Sequence, residues 1–388
     1  MLSIAQSMAV KSQQIKKDLD QKALVAFQAY QFNKTYEGED HNGDIYTGLY
    51  DVLKTKMPKD YNNLVGHKSS VRAISSKPNS NQLITTGSDG NIFSWNLKDP
   101  TNGNLIGNTG EINRSLALSD DDKWLACGTE KSKIVLFDIA KSSKKVLKGH
   151  NKVVWALEFM DNNTLISSSA DSTVRLWNLN DAKSIIIAKT KSRIKAFALS
   201  PNKKYIIGAS DKGEIILWDK SKNYSSTIIY TNATRSLSQI TYAKDGKFIA
   251  FGDQQGLVSI LNVANKTIEY DLIGQSARIT DLEFSSNDKF LASSSFDGTV
   301  QVFLTDNYDL SPLVLKDHDS WVSSLSFTNN DKTLVTGTMS SKIKRYPTNI
   351  DQMSTDLCSL ISRNLTQKEW KRFVAKDIEY EKTCPTIK

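Results

Sequence analysis

The chain has 388 residues, 39% of them apolar and 24% charged, with a formal net charge of +8. That balance supports a large packed core and excludes disordered, collagen-like and disulfide-dense classes, and the basic excess favours acidic partners. No run approaches roughly 18 uninterrupted apolar residues, so no membrane insertion is expected. The three cysteines, Cys127, Cys358 and Cys384, are too few for a disulfide framework and point to a reducing, cytoplasmic setting.

In chain order, residues 1–57 read as a helical extension. Ser3 to about Lys34 is predicted as one helix, with Leu24, Val25, Phe27, Ala29, Tyr30 and Phe32 making a broad apolar stripe. Asp44 to Leu53 is predicted as a shorter helix with Ile45, Leu49 and Val52 on one side, and Pro58 marks the passage into strands. The start is polar, lacks a signal-peptide core and falls abruptly inside a helical pattern, which reads as a piece of a longer protein.

Residues 58–347 carry a period. Strands ending in a bulky residue recur at Trp95, Phe137, Trp177, Trp218, Leu261, Phe303 and Tyr346, in steps of 42, 40, 41, 43, 42 and 43 residues. Units of about 40–45 residues with period-two alternation match one four-stranded propeller blade each. In the third unit Val154–Phe159, Thr164–Ser168, Thr173–Trp177 and Lys183–Ala188 read as strands between turn residues. No helix-length pattern interrupts Leu64 to Tyr346, against a parallel α/β fold. The segment Asn62–Val65 has no earlier unit to join and is expected to complete the blade that ends at Tyr346, closing the ring and protecting its edges. The expected fold is therefore all-β: a closed seven-bladed β-propeller of four-stranded antiparallel blades, with short α-helical N- and C-terminal extensions.

Gly66-His67 with Trp95-Asn96, and Gly149-His150 with Trp177-Asn178, resemble the Gly-His and Trp-Asp marks of WD40 repeats, with Asn in place of Asp. The resemblance spans about 285 residues and implies a buried hydrogen-bonded tetrad in each good repeat: His67, Thr85, Asp89 and Trp95 in blade one, His150, Ser167, Asp171 and Trp177 in blade three. Blade seven keeps His318 and Thr336 but has Ser340 and Tyr346. Blade six keeps Ser293 and Asp297 but has Gln275 and Phe303. Blades two, four and five lack most of the set, and Cys127 takes a hydroxyl position, where it should be buried and inert.

Residues 348–388 read as a helical tail. Asp356–Arg363 is predicted helical, Thr366-Gln367-Lys368-Glu369 is a capping box opening a helix through Trp370 and Phe373, and Tyr380–Pro385 is extended. Phe27, Tyr30, Trp370 and Phe373 need burial and are expected to dock the two ends on each other. Cys358 and Cys384 could pair, although two free thiols is the plainer reading. Arg363-Asn364-Leu365-Thr366 with Glu369-Trp370, and Leu24–Asn33, resemble segments of bacterial multidomain signalling proteins with C-terminal propellers. That likeness implies a STAND-class NTPase or caspase-like effector domain upstream in the same chain.

Enzyme signatures are missing: no Gly-x-x-x-x-Gly-Lys-Ser/Thr loop, Gly-x-Ser-x-Gly elbow or His-Glu-x-x-His. Three of the four histidines (His67, His150 and His318) sit at the repeat's structural position, and His41 lies in a polar loop. No catalytic residue, metal site or cofactor is expected. The informative surface is one mouth of the ring, where side chains flanking the first core position of each inner strand converge. Register puts Ser70 and Arg72, Arg114, Val153 and Trp155, Arg193 and Lys195, Ser236 and Ser238 with Arg235, Arg278 and Thr280, and Trp321 and Ser323 there, joined by Phe296 and Met339. Arginine forks suit carboxylate and phosphate, and exposed Trp anchors partners. The expected function is non-catalytic recognition of an acidic or phosphorylated protein or peptide, as a sensor in signal transduction or as a constitutive assembly scaffold. A rim on which these arginines pair with local acids such as Glu111 and Asp281 is the competing reading. Nucleic acid ranks below protein because Lys141, Lys144, Lys145, Lys203 and Lys204 are scattered without stacking aromatics. A propeller hydrolase or oxidoreductase ranks lower still.

Overall fold

The computed structural model of the chain describes residues 1–57, 61–77, 80–384 and 387, without the side chains of 100–102. Pro58 and Pro385 lie outside the described residues. The chain forms two compact units, one built from 64–310 and 314–345, the other from 1–63, 311–313 and 346–388.

Seven sheets of four antiparallel strands follow one another. Blade one runs Val71–Ser76, Gln82–Gly87, Asn91–Asn96 and Asp99–Asn108. Blade three runs Val154–Asp161, Thr164–Ser169, Thr173–Asn178 and Lys183–Lys189, with Leu165 opposite Trp177 and Ser167 opposite Arg175. The first strand of each blade packs on the first strand of the next, and that of blade seven (Val322–Thr328) on that of blade one. These inner strands therefore close a ring. The fourth strand of blade seven is Asn63–Leu64, from the opposite end of the sequence, so closure leaves no blade one strand short. Among the described residues from Leu64 to Tyr346 the only helix is the single 3-10 turn Lys220–Lys222.

Each inner strand carries the same defect. Register shifts by one residue between Val71 and Ala73, Asn113 and Ser115, Val154 and Ala156, Ile194 and Ala196, Leu237 and Gln239, Ile279 and Asp281, and Val322 and Ser324. A bulge leaves its extra residue outside the ladder and re-aims that side chain. All seven bulges lie where the inner strands begin, which defines the N-face of the ring; the strands end at the C-face.

Side chains stitch several inner strands to the next. Ser238 donates to the Ile279 carbonyl at 2.7 Å, Thr280 to that of Val322 at 2.8 Å, and Ser323 to that of Val71. Asp281 accepts from the Leu325 amide at 3.0 Å and Glu158 from the Leu199 amide at 3.2 Å. These carboxylates sit deep in the ring. Burial pushes Asp281 and Glu158 up to about 7 and Glu283 to about 8.

The second unit is helical. The single helix expected from Ser3 to Lys34 is two, α1 (Leu2–Gln14) and α2 (Leu19–Thr35). Ile15 turns extended, and the Asp18 carboxylate accepts from the Gln21 amide, restarting the helix with a new cap. α3 (Gly43–Lys56) is capped by Asn42. α4 (Ile350–Leu360) begins earlier than the expected Asp356, because Asn349 accepts from the Asp351 and Gln352 amides. α5 (Gln367–Phe373) opens on the Thr366–Glu369 capping box. The two ends of the chain dock on each other: the Phe32 ring meets Trp370 edge-on at 5.9 Å, Tyr30 Oη donates to Asp351 at 2.7 Å, and Phe27 and Phe373 are buried. Cys358 and Cys384 are joined in a disulfide with Cα atoms 6.1 Å apart, tying the tail to α4. This pairing corrects the plainer reading of two free thiols, and it runs against the reducing setting inferred from cysteine count. No helix among the described residues is long and apolar enough to cross a membrane.

Candidate functional site at the N-face mouth

The bulged residues are Arg72, Arg114, Trp155, Lys195, Ser238, Thr280 and Ser323. In blades five to seven they are the short hydroxyls already engaged with the next blade's backbone. In blades one to four they are long, and their heads are left for the mouth. Arg72 Nε donates to Ser88 Oγ at 2.9 Å. Arg114 pairs with Glu130 and lies over the Trp155 ring, 5.8 Å from its centroid. Arg278, one residue before its strand, lies over Phe296 at 5.5 Å, and Phe296 stacks on Trp321 at 4.9 Å. Trp321 is 53% exposed, while Met339 is half-buried, its carbonyl accepting from Ser70.

The cations crowd one another. Burial, then the neighbouring Arg114, makes the charged form of Arg278 harder to hold; the same two causes act on Arg72, with Glu130 opposing. Lys195 is lowered by burial and then by Arg278. Arg72 thus feels Arg114, Arg278 feels Arg114, and Lys195 feels Arg278. Among the described residues no carboxylate pairs directly with Arg72, Lys195 or Arg278, and the Nε atoms of Arg114 and Arg278 and Nε1 of Trp155 are buried donors without a partner.

Two of the expected mouth arginines are otherwise engaged. Arg193 forms an ion pair with Asp211 at 2.7 Å. Arg235 is turned into blade five: its Nε donates to the buried Asp253 at 2.7 Å, its Nη1 to Ser259 at 2.9 Å, and its guanidinium lies over Phe251. It is a buried structural pair, not a mouth residue. The acids suggested as local partners are also elsewhere: Glu111 pairs with Lys133, and Asp281 is bound to backbone amides. Glu130 and Asp211, missed in the sequence, stand at the same turn position as Phe296 and Met339. Reading that position in all seven units would have found them.

The tetrads are assembled in blades one and three. His67 bonds Asp89 at 3.0 Å and Thr85 at 2.9 Å, and Trp95 Nε1 donates to Thr85 at 2.9 Å. His150 bonds Asp171 at 2.9 Å and Ser167 at 2.7 Å, and Trp177 donates to Ser167. In blade six Gln275 replaces histidine, accepting from Ser293 at 2.7 Å. In blade seven His318 bonds Thr336, and burial lowers it to about 4. Cys127 is buried, and burial pushes its thiol far up.

The WD domain, G-beta repeat family model matches residues 59–96, 141–178, 266–303 and 311–346. Four of the seven blades match this family model. They are blades one, three, six and seven, and the three unmatched blades are those whose tetrad is most altered. The chain is 27% identical over 236 residues to the "Target of rapamycin complex subunit wat1" of Schizosaccharomyces pombe, covering 58% of this chain and 74% of that one. It is 25% identical over 294 residues to a "Ribosome biogenesis protein WDR12 homolog" of Drosophila mojavensis, covering 67% and 69%. It is 25% identical over 265 residues to a "WD repeat-containing protein WDS homolog" of Arabidopsis thaliana, covering 66% and 50%. All three are eukaryotic.

Proposed function

We propose that this WD-repeat propeller is a non-catalytic protein-recognition module whose N-face mouth receives an acidic or phosphorylated segment of a partner. The observation that carries this reading is the excess of Arg72, Arg114, Arg193, Lys195 and Arg278 over two carboxylates, Glu130 and Asp211, beside the exposed Trp321. The printed names of two relatives, a complex subunit and a ribosome biogenesis protein, agree with assembly work. Service as a sensor arm under an upstream NTPase or caspase-like domain in a bacterial signalling protein rests on the tail resemblance alone. There, a ligand would shift the effector only by its different affinity for the two states. A scaffold without switching is the second reading, favoured by those two names. Cytoplasmic placement stands against the Cys358–Cys384 bond, and the redox state of those thiols in the cell decides it.

The test is affinity capture from the source cell's lysate by the wild-type chain, by Arg72→Glu/Arg193→Glu/Arg278→Glu, and by Lys141→Glu/Lys183→Glu/Lys222→Glu. The last three lysines are exposed and lie away from the mouth. Partners lost only by the first variant support the reading. Capture that survives that triple reversal ends it.

A further inference from the structure

We propose that Arg72, Arg114, Lys195 and Arg278 form one pocket for a phosphate group of at least two negative charges, the anchor of whatever the mouth receives. This rests on the N-face reading above and goes past it in naming the group recognised.

The bulges bring Arg72, Arg114 and Lys195 out of their ladders onto one mouth, and Arg278 joins them from blade six. Ser88 under Arg72 and Phe296 under Arg278 hold those side chains and leave their charge unneutralised, while Arg114 lies over Trp155 and pairs with Glu130. With Arg193 counted, five cations face two carboxylates, Glu130 and Asp211. A single carboxylate ligand brings one charge and two coplanar acceptors, which leaves most of that excess standing. A phosphomonoester carries about −1.5 to −2 at neutral pH and three acceptor oxygens pointing apart, which suits donors arriving from blades on different sides of a ring. The Nε atoms of Arg114 and Arg278 and Nε1 of Trp155 are buried donors without a partner, and a guanidinium fork meets phosphate two bonds at a time. The stacked pair Phe296–Trp321 offers an apolar surface beside Arg278 for the carrier of the phosphate. At the C-face turns Lys77 and Lys203 are paired with Asp122 and Asp120.

The phosphate's source is either a free polyphosphate or a phosphorylated peptide. The experiment is calorimetric titration of the full chain at low salt with sodium tripolyphosphate, with a phosphoserine peptide, and with the same peptide carrying Glu for phosphoserine. Variants are Lys195→Met and Arg278→Met, which keep the stem and remove the charge, and Lys183→Met as control. Tripolyphosphate, the phosphoserine peptide or both should bind, and each mouth variant should weaken binding about tenfold or more while the control leaves it unchanged. Whichever of the two binds identifies the source. Binding of the Glu peptide as tightly as the phosphoserine peptide, or binding indifferent to the mouth variants, overturns the pocket. No binding of any probe, with partner capture still lost in the triple charge reversal, overturns the pocket and leaves the mouth reading standing. Phosphate binding with capture retained does the reverse.

Discussion

The two faces of the ring are built from the same strands and differ in how their charges are settled. At the C-face the turns are tied from blade to blade. Asp288 accepts from the Lys244 and Asp245 amides at 2.7 Å, Asp331 from the Ser286 and Asn287 amides at 2.9 and 3.2 Å, and Lys203 reaches Asp120 at 3.0 Å. At the N-face, Arg72, Lys195 and Arg278 meet no paired carboxylate. Carboxylates at the C-face turns satisfy backbone donors and so hold the ring together. Cations at the N-face repel one another and so weaken it slightly. Charge arranged against stability is where binding is to be sought.

Arg235 and Arg278 sharpen this contrast, because one arginine is paired inside a blade and the other is unpaired at the mouth. Arg235→Met should cost about 3–5 kcal/mol, since it strands the buried Asp253. Denaturant unfolding measures this, and Arg235→Met/Asp253→Asn should recover part of the loss. A loss below about 1 kcal/mol would mean that Arg235 is solvated after all.

The next effect is pH-dependent. Glu158, Asp281 and Glu283 hold their protons more tightly folded than unfolded, with values near 7, 7 and 8. Their contribution favours the fold at low pH and is lost as pH rises from the ordinary carboxylate range through about 8. Glu283→Gln should flatten that decline between pH 5 and pH 9, a difference on the order of 3 kcal/mol. Equal slopes for wild type and variant would remove Glu283 as the cause. Asp331→Ala should cost about 2 kcal/mol by leaving the Ser286 and Asn287 amides without their acceptor. The smallest effect is at the mouth: Arg278→Met should unfold within about 0.5 kcal/mol of wild type. Added salt should stabilise wild type more than that variant by screening the repulsion. An Arg278→Met loss as large as that of Arg235→Met would erase the distinction between the two arginines.

The blades were legible because their signals are local and repeated. Trp95, Trp177 and Trp218 mark the period, the alternation in Val154–Phe159 marks an inner strand, and the Thr366–Glu369 capping box marks a helix start. Less legible was the break at Asp18, where a cap interrupts a continuous apolar stripe, and the start of α4, where Asn349 outranks the later apolar periodicity. The mouth was half legible. Counting residues placed Arg72, Arg114, Lys195 and Arg278 near it, but counting could not tell them from Arg235, whose partner Asp253 becomes a neighbour only when the strands of blade five pair. Nor could spacing say that Cys358 and Cys384 meet, since their approach depends on how the tail folds back over α4.

By itself, the order of residues determined seven units, their strands and the need for the first extended segment to join the last, because period and alternation act within a few tens of residues. The tertiary structure decided which charges are neutralised. Neutralisation depends on distances of a few ångströms across blades, and those distances exist only once the ring has closed and its bulges have turned particular side chains toward the axis.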